Sequence, residues 1–379
     1  MADYTTIDDP SAHFQVATYT GNTSAPRNIT NDGNSNLKPD LIWGKNRTTA
    51  GTNNIITNST LGFDPANTDS LLSTDSSGGV NTPNPTYGYV SAALTDGFTI
   101  ASGGTNDDSF NENSSEFVAW QWKANGGTTA SNTTGNGIDS VVQANTTAGF
   151  SIVTYDGNGT QSGQTVGHGL GAVPKMILSK DRDATSNVPN WRVYHQALGN
   201  TKYMTLDTDA AVATYNDWDN TDPTSSVYSV GGAGGYTPTN TNNTEYIAFV
   251  FAEVQGFSKF GSYIANGNAD GPFVYTGFKP SLLILRNSTN SGYNWWILDN
   301  KRNAFNLTDE VLYTNLTAAE FDGSGHASNM GVDFLSNGFK VRTTNTAINN
   351  TGATNIYMAW AENPFVTSTS ANSIPTTAR

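Results

Sequence analysis

Four landmarks recur in the same order three times along the chain, and that recurrence limits the possible folds more than any other feature. Each copy opens on a strand-like run ending in a tyrosine and a Gly/Asn turn: FQVATYTGN from Phe14, FSIVTYDGNG from Phe150 and SKFGSYIANGN from Ser258. Tyr19, Tyr155 and Tyr263 are the matched tyrosines. A proline ahead of an apolar run follows after 20, 19 and 17 residues, in LKPDLIWGKNR, AVPKMILSKDR and FKPSLLILRNS. Pro39, Pro174 and Pro280 can open a strand there but cannot donate to a ladder from its middle. The runs Leu41–Trp43, Met176–Leu178 and Leu282–Leu285 show no polar alternation, so they read as strands covered on both faces. The third landmark is a strand entered through a turn: TDGFTI, SSVYSV and SNGFKV. Asp96-Gly97 and Asn337-Gly338 predict hairpins, a dipeptide the second copy lacks. The fourth is an aromatic strand, EFVAWQWKA, EYIAFVFAE or NIYMAWAEN, with Trp122, Phe251 and Trp360 lying 83, 77 and 80 residues beyond the prolines.

Several short strands per copy with Gly/Asn/Pro punctuation predict an all-β chain of three tandem antiparallel β-sandwich, jelly-roll-like modules, each filling a separate interior. A closed barrel is the second choice for the module. The expected boundaries are an N-terminal arm at 1–13, modules at 14–127, 128–256 and 257–366, and a C-terminal tail at 367–379. Only VQGF separates the last strand of the second module from the first of the third, which predicts a rigid junction. The longer segment NGGTTASNTTGNGIDSVVQANTTAG reads as a flexible connection, with IDSVVQA as an extra strand belonging to the second module. Short helical turns are expected in LTDEVLYTNL near 307 and YHQALGN at 194.

Only 13% of residues are charged and the net charge is −14, so the exterior of a folded chain must be neutral and polar, rich in Asn, Thr, Ser and Gly. No basic patch is present. Affinity for nucleic acid through phosphate neutralisation is therefore not expected, nor unaided binding to anionic lipid. There are no cysteines, which removes disulfides and thiolate metal sites. The start MADYTTIDDPSAHF lacks a basic region followed by an apolar core, so no secretory signal is expected. No stretch approaches the roughly 18 consecutive apolar residues of a membrane span, and membrane insertion is not expected.

Chemistry needs converging side chains, and the candidates are few. His13, His168, His195 and His326 include no i, i+4 pair. His195 in NWRVYH aligns with Asp299 in NWWILD and with Asn58 in NIITNS, which a polar strand end explains. Asp217, Asp219 and Asp222 in NDWDNTDP are hard oxygen ligands and the candidate Ca2+ site, although the full calcium-loop pattern is missing and a solvated loop explains them too. Glu253 and Glu362 align, but the first copy has Ala124 there, and as catalytic partners they would come from different modules. GQTVGHGLG fits a turn better than a phosphate loop. Trp191, Trp295 and Trp296 are the candidate sugar-stacking residues. Adjacent residues on a strand face opposite ways, so one of Trp295 and Trp296 is expected in the core and the other at a surface or interface.

The segments FSIVTYDGNGTQSGQTVGHGLGAVPKMI, NWRVYHQALGNTK, YIAFVFAEVQGFSKFGSY and DGPFVYTGFKPSLLI resemble the repeated tail-fibre-like β modules of marine and cyanobacterial tailed-bacteriophage virion proteins. The resemblance spans residues 14 to 365 and is strongest in the second and third copies. It implies a non-enzymatic virion protein, made in the host cytoplasm and exposed on the particle exterior as a tail-fibre or adsorption appendage. Other virion proteins, further copies of the chain and a host surface glycan are the implied partners. It brings no catalytic residues. A capsid or tail decoration protein without receptor binding is the alternative, and a glycan depolymerase the third reading.

Overall fold

Three apolar runs that begin two residues after a proline become the central strands of three large sheets in the computed structural model, which describes residues 4–64, 70–80, 84–184, 189–323 and 330–367. His326 and residues 368–379 of the expected tail lie outside the described residues. Unit one contains β1 (Phe14–Thr20), β2 (Arg27–Ile29), β3 (Leu41–Asn46), β4 (Ile55–Asn58), β5 (Leu72–Ser73), β6 (Tyr89–Ala93), β7 (Phe98–Ala101) and β8 (Glu116–Trp122). Unit two contains β9 (Ala130–Asn132), β10 (Ser140–Asn145), β11 (Phe150–Asp156), β12 (Gln164–Gly167), β13 (Pro174–Asp181), β14 (Arg192–His195), β15 (Lys202–Thr205), β16 (Ala213–Thr214), β17 (Val227–Val230) and β18 (Glu245–Ala252). Unit three contains β19 (Ser258–Ile264), β20 (Phe273–Tyr275), β21 (Phe278–Asn287), β22 (Trp296–Asp299), β23 (Glu310–Tyr313), β24 (Phe321–Asp322), β25 (Val332–Leu335), β26 (Gly338–Val341) and β27 (Thr354–Pro364), with the four-residue helix α1 (Thr346–Asn349) before β27.

One pairing order serves all three units. The large sheets run β1-β8-β3-β4-β5, β11-β18-β13-β14-β15 and β19-β27-β21-β22-β23, so the first strand always pairs with the last and the last with the strand after the proline. Register agrees as well: Leu41 lies opposite Trp122, Met176 opposite Phe251 and Leu282 opposite Trp360. A smaller sheet packs on the outer face of each: β2-β7-β6, β12-β17 and β20-β26-β25. The ladders are antiparallel, none of these sheets closes into a barrel, and the chain is all-β in sandwich layers, as the short punctuated strands predict. Among the described residues no helix is long and apolar enough to cross a membrane.

The matched tyrosines explain how each sheet holds its top loop. Tyr19, Tyr155 and Tyr263 each donate a phenolic hydrogen bond to a backbone carbonyl ahead of the last strand, Phe110 O at 2.9 Å, Thr239 O at 2.8 Å and Ile348 O at 2.7 Å. Buried Asn111, Asn240 and Asn349 clamp the Gly/Asn turn that follows. Their Oδ1 atoms accept from the backbone N–H of Asn22, Asn158 and Asn266, and their Nδ2 groups donate to the carbonyls of Ser24, Thr160 and Asn268.

The interiors are not separate, contrary to the sequence expectation. Alternation along each last strand sends Ala119 into a private interior with Ile42, Phe98 and Ile100, and Ala248 and Val250 into another with Ile177, Tyr228 and Val230. The opposite faces, Val118, Trp120 and Trp122, Ile247, Phe249 and Phe251, and Ile356, Met358 and Trp360, meet in one shared core. Unit three's own interior is continuous with it. The apolar runs are thus covered on both faces as expected, but the second cover is the two other units. At one end of the shared core Trp122, Phe251 and Trp360 touch mutually, with centroids 6.4, 5.3 and 5.4 Å apart. Beside them is a cavity of about 10 Å³ walled by apolar side chains including Leu41, Met176 and Ile284. A space of that size without polar partners holds no stable water.

Three local expectations also change. Residues 128–149 are not a loose connection: β9 and β10 extend the large sheet of unit two beyond β11, and Gln143 is buried, donating to Ser59 and Thr60 of unit one at 3.0 and 2.8 Å. The stretch near 307 holds strand β23 instead of a helical turn, because it supplies a rung to its sheet, whereas in YHQALGN β14 ends at His195 and a single turn follows, closed by Leu198 N and Gly199 N on His195 O at 2.9 and 3.3 Å. Around Asn337-Gly338 the hairpin forms, yet Gly338 already pairs with Leu335 and so belongs to β26 and not to the turn. Gly97, by contrast, sits in its loop with φ of 93°, a value that favours glycine.

Candidate functional site

The residues that the sequence nominates for chemistry converge on the seams where the units meet. His195, Asp299 and Asn58 occupy one register position, opposite Met176, Leu282 and Leu41. Four residues earlier stand Trp191, Trp295 and Asn54, and each donates to the backbone of another unit. Trp191 Nε1 reaches Ser73 O of unit one at 2.7 Å, Trp295 Nε1 reaches Thr205 O of unit two at 2.9 Å, and Asn54 Nδ2 reaches Leu316 O of unit three at 2.9 Å. The donors run two to one, three to two and one to three, which closes a ring.

This placement corrects the sugar-stacking expectation. Trp191 and Trp295 are 0% exposed and Trp296 is 1% exposed, so none presents a face to solvent. Trp296 is buried although it points opposite to Trp295, because the large sheet has a neighbour on both sides. In a single sandwich one of the two would face water.

A buried cation accompanies each seam. Lys45, Lys180 and Arg286 share one position on the strand after the proline, all 0% exposed. Lys180 Nζ donates to Ser77 O of unit one at 3.0 Å and Arg286 Nη2 to Ala210 O of unit two at 2.6 Å, while Lys45 Nζ is held by Thr52 O and Oγ1 of its own unit at 2.8 and 2.9 Å. Burial pushes both lysines down to about 8 and the arginine down to about 10.

Units one and three, which are not consecutive in the chain, meet through an ionic network. Arg47 pairs with Glu320 at 2.6 Å and Glu310 at 3.1 Å, and Arg302 pairs with Glu320 at 2.7 Å and Asp299 at 2.6 Å. Trp120 Nε1 donates to Asp299 Oδ2 at 3.0 Å, completing the acid's coordination. Burial and the adjacent Glu320 carboxylate raise the Glu310 carboxyl above its usual range. A cleft of about 160 Å³ between units one and three is lined by Asp9, Gln15, Asp32, Asn300, Lys301 and Glu362, smaller than typical small-ligand pockets.

His195 is a structural imidazole. Its Nε2 donates to Tyr357 O at 3.1 Å and its Nδ1 accepts from Ala197 N at 3.2 Å, which fixes the neutral tautomer. His168 repeats the pattern with Thr224 O and Leu170 N, both at 3.2 Å. Burial lowers both to about 4.

The expected Ca2+ ligands are not brought together. Asp217 is buried with its carboxylate 3.6 Å from the Arg192 guanidinium, and burial raises it to about 6. Asp219 instead accepts from Gly163 N at 2.6 Å, and Asp222 from Asn200 Nδ2 at 2.9 Å. Among the described residues no group of three or more His, Cys, Asp or Glu side chains converges on a metal position. Glu253 and Glu362 pair with Lys259 at 2.8 Å and Lys279 at 3.2 Å.

Sequence reasoning missed the buried cations and the clamping asparagines, although both recur visibly: KNR, KDR and RNS after the apolar run, and an Asn shortly before each last strand. No curated protein and no solved structure matches the chain. A family model does match residues 9–364, a span that takes in all three units and their seams, and the chain therefore belongs to the domain of unknown function family DUF7483.

Proposed function

We propose that this chain is a non-enzymatic structural and adsorption component of a tailed-bacteriophage particle, a tail-fibre-like appendage on the particle exterior that contacts the host cell surface. The observation that carries the reading is the ring of seam contacts. Trp191, Trp295, Asp299, Lys180 and Arg286, among the side chains best suited to chemistry, bind one unit to the next. What results is a rigid three-unit body with a neutral polar exterior, suited to assembly with other virion proteins and with further copies of itself. The sequence resemblance supports the same class. A body that repeats one architecture three times can also present weak contacts together, which raises avidity through effective concentration.

The test is adsorption of the purified protein to cyanobacterial cells, alongside its attachment to isolated capsids and tails. Saturable adsorption to cells is expected. Attachment to capsid or tail without adsorption would replace this reading with a decoration protein, and release of reducing ends from host polysaccharide would replace it with a depolymerase.

A further inference from the structure

The three units serve as internal controls for one another, and one outer face departs from the other two. On the first strand of each smaller sheet a buried residue, Ile29, Val166 or Val274, packs on Phe98, Tyr228 or Phe339 across the ladder. The residues on either side of it are exposed in two of the units, Asn28 and Thr30 in unit one but Phe273 and Tyr275 in unit three, whereas in unit two Thr165 is half-buried and Gly167 is buried beneath Asn132 and Thr134. Small polar residues therefore satisfy the fold at these positions, and packing does not require two aromatic rings there. Yet Phe273 is 47% and Tyr275 52% exposed.

We infer that Phe273 and Tyr275 form a platform on which successive rings of a neutral glycan chain stack, with the neighbouring charged side chains hydrogen-bonding its hydroxyls. This rests on the host-contact reading above and gives it a site. Side chains two apart on a strand lie on one face about 7 Å apart, so both rings face the same ligand. Lys340 lies opposite Phe273 and Asp333 opposite Lys340. Asp270 pairs with Lys340 at 2.7 Å and Arg342 with Asp333 at 3.5 Å. Two cations and two carboxylates cancel, which suits a ligand with many hydroxyls and no net charge. Tyr4 adds a third ring at the edge, its hydroxyl 3.2 Å from that of Tyr275. A protein partner fits poorly: two half-exposed aromatic side chains offer roughly 200 Å², against about 800 Å² per partner in a stable interface.

Affinity electrophoresis of the full chain through gels containing a β-glucan, a mannan or a galactan tests this. Retardation by at least one polysaccharide is expected, weakened at least tenfold in the double variant Phe273→Asn with Tyr275→Thr. That variant installs the residues of unit one and so should fold, which an unchanged melting temperature would show. Asn28→Ala with Thr30→Ala should leave retardation unchanged. No retardation in any gel, equal retardation of the double variant, or a dimer that the double variant abolishes would each overturn the proposal. Cell adsorption separates the two readings. Adsorption kept by the double variant removes this site and leaves host contact standing; gel retardation without adsorption of the wild type removes host contact and leaves the site.

Discussion

At the scale of single residues, His195 shows how a seam position ties stability to pH. Its neutral form is fully hydrogen-bonded, and protonating Nδ1 would set a new donor against the Ala197 N–H. The folded value near 4 lies below the ordinary histidine value of 6.5. Between those limits the unfolded chain binds the proton and the folded one does not, so this contribution is complete above pH 6.5 and is lost as pH falls toward 4. Asp217 acts in the opposite sense, since its raised value near 6 favours the folded state on acidification. His195→Asn, which installs the residue of unit one, should therefore reduce the loss of unfolding free energy between pH 6.5 and 4 by about 3 kcal/mol relative to wild type. Urea titrations at the two pH values check this. A second residue-scale prediction concerns Trp191→Phe, which keeps most of the ring but leaves Ser73 O without its donor. A loss of about 1 kcal/mol is expected in the same titration. Sequence alone showed that Trp191 and Trp295 were equivalent, and that His195, Asp299 and Asn58 were too. It did not show their partners, because the acceptors are backbone carbonyls of other units and carry no sequence signature.

Among the elements, β8, β18 and β27 do the most, each serving a private interior with one face and the shared core with the other. Their order, register and closing aromatics were legible from Trp122, Phe251 and Trp360, as were the hairpin at Asp96-Gly97 and the extra strand within residues 138–144. What the sequence left open was the cover on the second face. An unalternating apolar strand states that both faces are dry, not which neighbour dries them. The loop after β8 misled for a related reason: Gly- and Asn-rich stretches read as flexible, whereas Asn125, Gly127 and Gln143 are fixed by hydrogen bonds linking that loop to β10. Trp360→Ala in β27 should cost about 3–5 kcal/mol as a large ring leaves a packed core. In a double-mutant cycle with Trp122→Ala, a coupling of about 0.5–1.5 kcal/mol is expected for aromatic groups in contact. Additive losses would show that the two rings do not touch in solution. At the seam between units one and three, Glu320→Gln removes the carboxylate shared by Arg47 and Arg302 and should destabilise by about 3 kcal/mol. A change below about 0.5 kcal/mol by denaturant titration would contradict the network's role.

For the whole molecule, a common core predicts behaviour that three beads on a string would not show. Removing any one unit would strip apolar cover from the other two, so no unit should unfold while its neighbours persist. The folded body then has no low-energy hinge at the junctions. Differential scanning calorimetry of the intact chain is the most direct test. A single transition is predicted, with the van't Hoff enthalpy equal to the calorimetric one. Two or three resolved transitions, each with the enthalpy of a single unit, would contradict the shared core.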